Sequence, residues 1–143
     1  MTNILSVIHY PVFGGPGNCN CHVAARLGPR GYHTHVVLPD EPGNAVARFA
    51  EWGMVPTTMP LHRIRAVRNP AVHARFLRNF DREVKALQRL IREKNIDVVL
   101  LNGSANPHGA LAAQREGVAL VWQLVDTYPP PLFLSGMMRL VLR

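Results

Sequence analysis

The chain has 143 residues, 48% of them hydrophobic and 17% charged, and carries a formal net charge of +7. That size suits one domain; the composition excludes a disordered tail, and no apolar run reaches the roughly 18 residues of a membrane-spanning helix. The opening MTNILSVIHY lacks a basic leader and predicts no secretory signal, while two cysteines in a C-x-C pair give no disulfide framework and point to a reducing cytosol.

Strands are predicted at Asn3–His9, His33–Pro39, Val55–Met59, Asp97–Asn102 and Val118–Val125 from short apolar runs. Between them, helical spacing predicts helices at about Asn18–Leu27, Asn44–Trp52, Pro70–Glu93 and Pro107–Glu116, with Gly31, Gly53 and Gly117 just past three of their ends. Strands separated by helices imply right-handed βαβ units, hence an α/β, Rossmann-like parallel sheet of about five strands with helices on both faces, spanning residues 1–143. In such a sheet the strand order reverses beside strand one, and ligands bind outside the C-terminal ends of strands one and four. Two loops rich in glycine and asparagine fall there: FGGPGN at 13–18 and NGSANPHG at 102–109, with Asp126, Thr127 and Tyr128 following strand five. The final segment, PLFLSGMMRLVLR, is more apolar than a solvated tail and predicts packing partners beyond it: either a further part of the chain or a partner chain.

The loop YPVFGGPGNCN, residues 10–20, joins the first strand to the first helix with three glycines in four positions. Glycine reaches positive φ and lets backbone N–H groups approach a ligand, so a phosphate cradle at a helix N-terminus is expected rather than a simple tight turn. The dinucleotide fingerprint G-x-G-x-x-G is broken, because Asn20 stands in place of its third glycine, although Asp40 at the end of strand two keeps a nicotinamide-binding alternative open. No lysine follows the loop as a P-loop requires.

Ten of the sixteen Lys and Arg lie between residues 63 and 94 against Asp81, Glu83 and Glu93, so this segment holds the whole net charge. Within it Arg75, Arg78, Arg82, Lys85, Arg89 and Arg92 recur every three or four residues, one stripe of the predicted helix. Phe76, Phe80, Val84, Leu87 and Ile91 form the opposite, buried stripe. The stripe reads either as a solvated face or as a site for an anionic membrane surface. The basic segment lacks interleaved exposed aromatics and no nucleic-acid motif occurs anywhere in the sequence, so nucleic acid is not an expected partner. The histidines are scattered; His33 and His35 share a strand face, yet no metal-binding spacing accompanies them, and no metal is expected. Cys19 and Cys21 read as small buried helix residues.

G-G-P-G-N at 14–18, HVAARLGPRGYHTHVVLP at 22–39, IDVVLLNGS at 96–104 and GVALVWQLVDTYPP at 117–130 together resemble the N-terminal, acceptor-side domain of retaining GT-B glycosyltransferases of family 4. The resemblance implies one half of a GT-B fold, with a C-terminal nucleotide-binding domain absent from these residues. It implies transfer of a sugar from a nucleotide-sugar donor, a co-substrate rather than a cofactor, to a glycan or lipid-linked acceptor, with no activity for this half alone. By the same resemblance Gly14 and Gly15 approach the donor phosphates, Asn18 caps the helix, Asn102 and Ser104 line the cleft, and Asp126 is the acid/base or acceptor-binding candidate. A histidine that touches the transferred sugar in many such enzymes is replaced by Gln123 or Val125. A cytoplasmic protein, peripheral at the inner membrane face, is expected. The alternative is a non-catalytic Rossmann-like module that uses the basic helix on membranes.

Overall fold

The computed structural model describes residues 1–63, 69–103 and 107–124. Five strands form one parallel sheet: β1 (Thr2–Ile8), β2 (Tyr32–Pro39), β3 (Thr57–Met59), β4 (Val98–Asn102) and β5 (Ala119–Gln123). Their spatial order is β3-β2-β1-β4-β5, so the chain leaves β1 in one direction and returns on its other side at β4. Registers such as Leu5 beside His35 and Val99 hold the C-terminal ends of β1 and β4 level.

Four helices cover the sheet: α1 (Gly15–Leu27), α2 (Ala45–Ala50), α3 (Pro70–Glu93) and α4 (His108–Glu116). The alternation of side chains along the strands divides the core in two. Leu5, Val7, Val37, Val99 and Leu101 meet Val84, Leu87 and Ile91 of α3 and Ala110, Ala112 and Ala113 of α4. On the opposite face Ile8, Val36 and Leu38 pack with Cys21 of α1 and Ala45 and Phe49 of α2. Each fully buried apolar side chain contributes about 1.5–3 kcal/mol, so these two layers dominate the stability of the sheet.

The expected boundaries shift for local reasons. Helix α1 begins at Gly15 instead of Asn18, because Pro16 presets helical φ in the first turn and Gly14 takes the cap. Strand β3 is three residues long rather than five: Val55 is exposed and Pro56 lacks an N–H for pairing. Gly31, Gly53 and Gly117 adopt the left-handed conformation at φ 84°, 70° and 67°, as terminators of helical turns should. The predicted end of the fifth strand at Val125 and the apolar segment 131–143 lie outside the described residues.

Candidate functional site

The β1–α1 loop sits at the sheet's reversal point. Gly14 is the N-cap of α1, with no side-chain cap, and its carbonyl accepts from the Asn18 N–H at 2.9 Å. Gly14 and Gly15 are exposed, and a Cβ at either would meet nothing within 4 Å. Open space therefore lies beside Gly14 and Gly15 at the positive end of the helix dipole, where Pro16 has no N–H to offer. The three glycines serve different ends. A Cβ on Gly17 would fall 2.9 Å from the Phe13 ring, so that glycine serves packing.

Two expectations for this loop are corrected. Positive φ is not what the glycines supply: Gly14 is extended at φ −142°, and the left-handed glycines are elsewhere. Asn18 is not the cap either; it occupies the fourth helical position and is exposed, because the helix starts earlier than the sequence suggested.

A second loop clasps the first. The Asn44 side chain accepts from the Phe13 N–H at 2.8 Å, and the Ala45 N–H donates to the Pro11 carbonyl at 2.9 Å. Gly43 permits this contact, since its Cβ would lie 2.1 Å from the Pro11 oxygen. The β1–α1 loop is held from outside as well as by its own helix.

At the neighbouring end of β4, the Asn102 side chain is buried and its Nδ2 donates to Ser6 Oγ at 3.3 Å. Asn102 is thus turned inward to brace β1 against β4, in place of its expected position lining the cleft. Its carbonyl accepts from His9 Nδ1 at 2.8 Å, which places the His9 proton on that nitrogen. Gly103, at φ 83°, packs so closely on the His9 ring that a Cβ would approach Cε1 to 2.4 Å. Trp122 Nε1 donates to the Gly103 carbonyl at 2.8 Å, joining β5 to the same corner. Ser104 and Asp126 lie outside the described residues.

Beside this corner opens a cleft of about 390 Å³ lined by Glu41, His62, Arg63, Asn69, Val72 and Arg75. Arg63 Nη1 donates to the His9 carbonyl at 3.1 Å and to Glu41 Oε1 at 2.9 Å, with its guanidinium over the Tyr10 ring. Behind the cleft, Glu83 of α3 is only 2% exposed. Its Oε2 accepts from the His62 backbone N–H at 2.9 Å, its Oε1 contacts His62 Nδ1, and His108 Nε2 lies 3.2 Å from Oε2. Burial alone would raise the pKa of Glu83, but hydrogen bonds from His108 and His62 outweigh it and hold the carboxyl below the usual range. His108, fully buried against Phe76 and Phe80, has its pKa lowered, chiefly by burial.

Tyr10, His62, Arg63 and Glu83 were missed in the sequence. Tyr10 and Arg63 flank strand ends, and the topological rule could have flagged them. Glu83 had a subtler signal: with Phe76, Phe80 and Leu87 it keeps the spacing of the apolar stripe, an acid on a face meant for the core.

The six basic residues of α3 are all exposed, as their spacing predicted. Lys85 pairs with Asp81 at 2.7 Å and Arg92 chelates Glu116 at 2.8 and 3.0 Å, while Arg82 donates to Asn79. Arg75, Arg78 and Arg89 have no carboxylate partner among the described residues. Cys19 is exposed, contrary to expectation, because it lies on the outer face of α1; Cys21 is buried, which raises its thiol pKa. His33 and His35 stack with ring centroids 4.5 Å apart. No helix among the described residues is long and apolar enough to cross a membrane.

Comparison with known proteins places the chain in a family. The model of the family described as Glycosyltransferase Family 4 matches residues 13–142. The chain belongs to glycosyltransferase family 4. Among solved structures, this family 4 chain is similar to a glycosyltransferase from Rickettsia africae, with 19% identity, TM-score 0.69, 95% of this chain and 33% of that one covered. Acinetobacter baumannii MurG gives 14% identity and TM-score 0.70, with 99% and 39% covered. A UDP-GlcNAc 2-epimerase from Neisseria meningitidis, bound to UDP-GlcNAc, gives 12% identity and TM-score 0.58, with 85% and 32% covered. At these identities the likeness shows the fold, one half of a GT-B architecture, and the chain spans about a third of the length of these structures. A search of curated proteins finds no match.

Proposed function

We propose that this family 4 chain is the acceptor-side domain of a retaining glycosyltransferase that moves a sugar from a nucleotide donor to a glycan or lipid-linked acceptor. One observation carries the reading: the family match runs through a loop whose Gly14 and Gly15 present an uncapped helix N-terminus to open space at the sheet's reversal point. As the bond from the sugar to the nucleotide diphosphate breaks, negative charge grows on the departing phosphate, and helix N–H groups stabilise it without a metal. Gly14 and Gly15 meet that phosphate, and exposed Asn18 flanks it one turn along. Asn102 supports the corner from behind. Ser104 and Asp126 take their proposed roles, phosphate contact and acid/base or acceptor binding, from the family resemblance. A second Rossmann-like domain grips the nucleotide, so these residues alone bind donor weakly and turn over none.

The test is a transfer assay with a panel of labelled nucleotide sugars, using the 143-residue chain alone and combined with the second domain from the sequence downstream of Arg143 or a neighbouring gene. Transfer only in the combination supports the proposal. Turnover by the chain alone removes the need for a second domain, and no donor binding in either preparation defeats the sugar-transfer reading.

Arg75, Arg78 and Arg89, exposed and without a carboxylate partner among the described residues, favour a second element: docking of α3 on anionic lipid at the cytoplasmic membrane face, where each basic residue near the surface contributes about 1 kcal/mol. Salt-sensitive co-sedimentation with phosphatidylglycerol vesicles, lost when Arg78, Arg82 and Arg89 become Ala, supports it. If that binding occurs without any protection by nucleotide sugars, the chain is instead a non-catalytic membrane module.

A further inference from the structure

Glu83 does more than neutralise a buried corner. Its two oxygens receive two donors from one residue: the backbone N–H of His62 into Oε2 and the ring Nδ1 into Oε1. An ionised carboxylate only accepts, so Nδ1 carries the proton and, in the neutral ring, Nε2 holds the lone pair. The His62 side chain is 31% exposed and lines the 390 Å³ cleft, and Nε2 has no partner among the described residues. With the ring neutral, the cleft lining thus offers a hydrogen-bond acceptor at His62 Nε2.

Its neighbours narrow what that acceptor takes. Arg63 pairs with Glu41 at 2.9 Å, which leaves Arg75 as the lining cation with no carboxylate partner among the described residues, and the lone pair of a neutral imidazole turns an anion away. A hydroxyl suits the cleft better. It can donate to Nε2 while accepting from a guanidinium or the Asn69 amide, and adjacent hydroxyls can repeat the pattern on Glu41. We infer that His62 binds a hydroxyl of a saccharide acceptor through Nε2, and that Glu83 is the positioning residue that fixes the tautomer this requires. The inference rests on the acceptor-side reading above.

The geometry makes Glu83→Gln a directional test. A glutamine leaves one acceptor oxygen for two donors. The backbone N–H of His62 cannot reverse, so it takes that oxygen; the new amide N–H₂ then faces Nδ1 and drives the ring to its Nε2–H form. Imidazole ¹⁵N spectra of the 143-residue chain read this directly, with methyl α-glucoside and inorganic phosphate titrated in parallel as probes. Wild-type chain should show the Nδ1–H form and an Nε2 response to the glucoside only. Glu83→Gln should show the Nε2–H form and lose that response, a change no purely structural role for Glu83 would produce. His62→Asn, whose side-chain N–H₂ can still donate to the buried Glu83 carboxylate but which has no Nε2, should abolish glucoside-dependent shifts of the Asn69, Ala71 and Arg75 amides; this arm stands even if the Glu83 variant fails to fold. An Nε2–H form in the wild type, a response to phosphate in place of the glucoside, no glucoside response, or a His62→Asn chain that still responds would each overturn the inference. Those results leave the transfer assay untouched, whereas a saccharide site at His62 with no sugar transfer by any preparation would defeat only the catalytic reading.

Discussion

Substituting Gly103 by Ala tests how the corner beneath the site is built. Gly103 sits at φ 83°, where an L side chain costs about 1 kcal/mol or more, and its Cβ would lie 2.4 Å from Cε1 of the His9 ring. That ring cannot swing away: it is buried, and its Nδ1 is bonded to the Asn102 carbonyl at 2.8 Å. Overpacking against a fixed buried group costs about 1–3 kcal/mol, so the expected loss is about 2–4 kcal/mol in all. For a domain of this size that is a fall in Tm of about 6–12 °C, at about 3 °C per kcal/mol. Urea titration and thermal unfolding of both chains measure it, with Gly15→Ala as the control, since nothing lies within 4 Å of its Cβ. A loss below about 1 kcal/mol for Gly103→Ala would show that the His9–Gly103 contact does not fix this corner.

The control carries its own prediction: Gly14→Ala with Gly15→Ala should change stability by less than about 0.5 kcal/mol. If their amides meet a phosphate, the same pair should weaken thermal protection by UDP-sugars about tenfold or more, equivalent to about 1.4 kcal/mol. Phe49 is wholly buried under the glycine loop, in edge contact with Phe13, and Phe49→Ala should cost about 3–5 kcal/mol in urea unfolding. Acid should destabilise the fold in two stages. The folded pKa of His108 lies below the ordinary 6.5, so the unfolded chain binds the extra proton and stability falls as pH drops below that value. Glu83, also lowered, adds a second loss as pH falls below the ordinary carboxylate range. His108→Asn should flatten the first stage and keep the second; unfolding midpoints measured across this range give the comparison.

Much of the frame was legible in the sequence because hydrophobic period and glycine punctuation are local properties. The five strands, the four helices and the stops at Gly31, Gly53 and Gly117 follow from spacing alone, and so does the reversal point beside β1. The exposed arginine stripe of α3 was readable for the same reason, since helical spacing fixes which residues share a face. The divided duties of the glycines were not readable. Gly14 and Gly15 face open space while Gly17 meets Phe13, and that difference depends on where a ring from outside the helix comes to rest. Asn102 looked like a ligand group in its loop, yet Ser6, distant along the chain, turns it inward. The Glu83–His62–His108 cluster belongs wholly to the tertiary structure. Its members come from α3, from the segment after β3 and from the start of α4, and a buried carboxylate acquires a role only when packing delivers the donors that keep it charged.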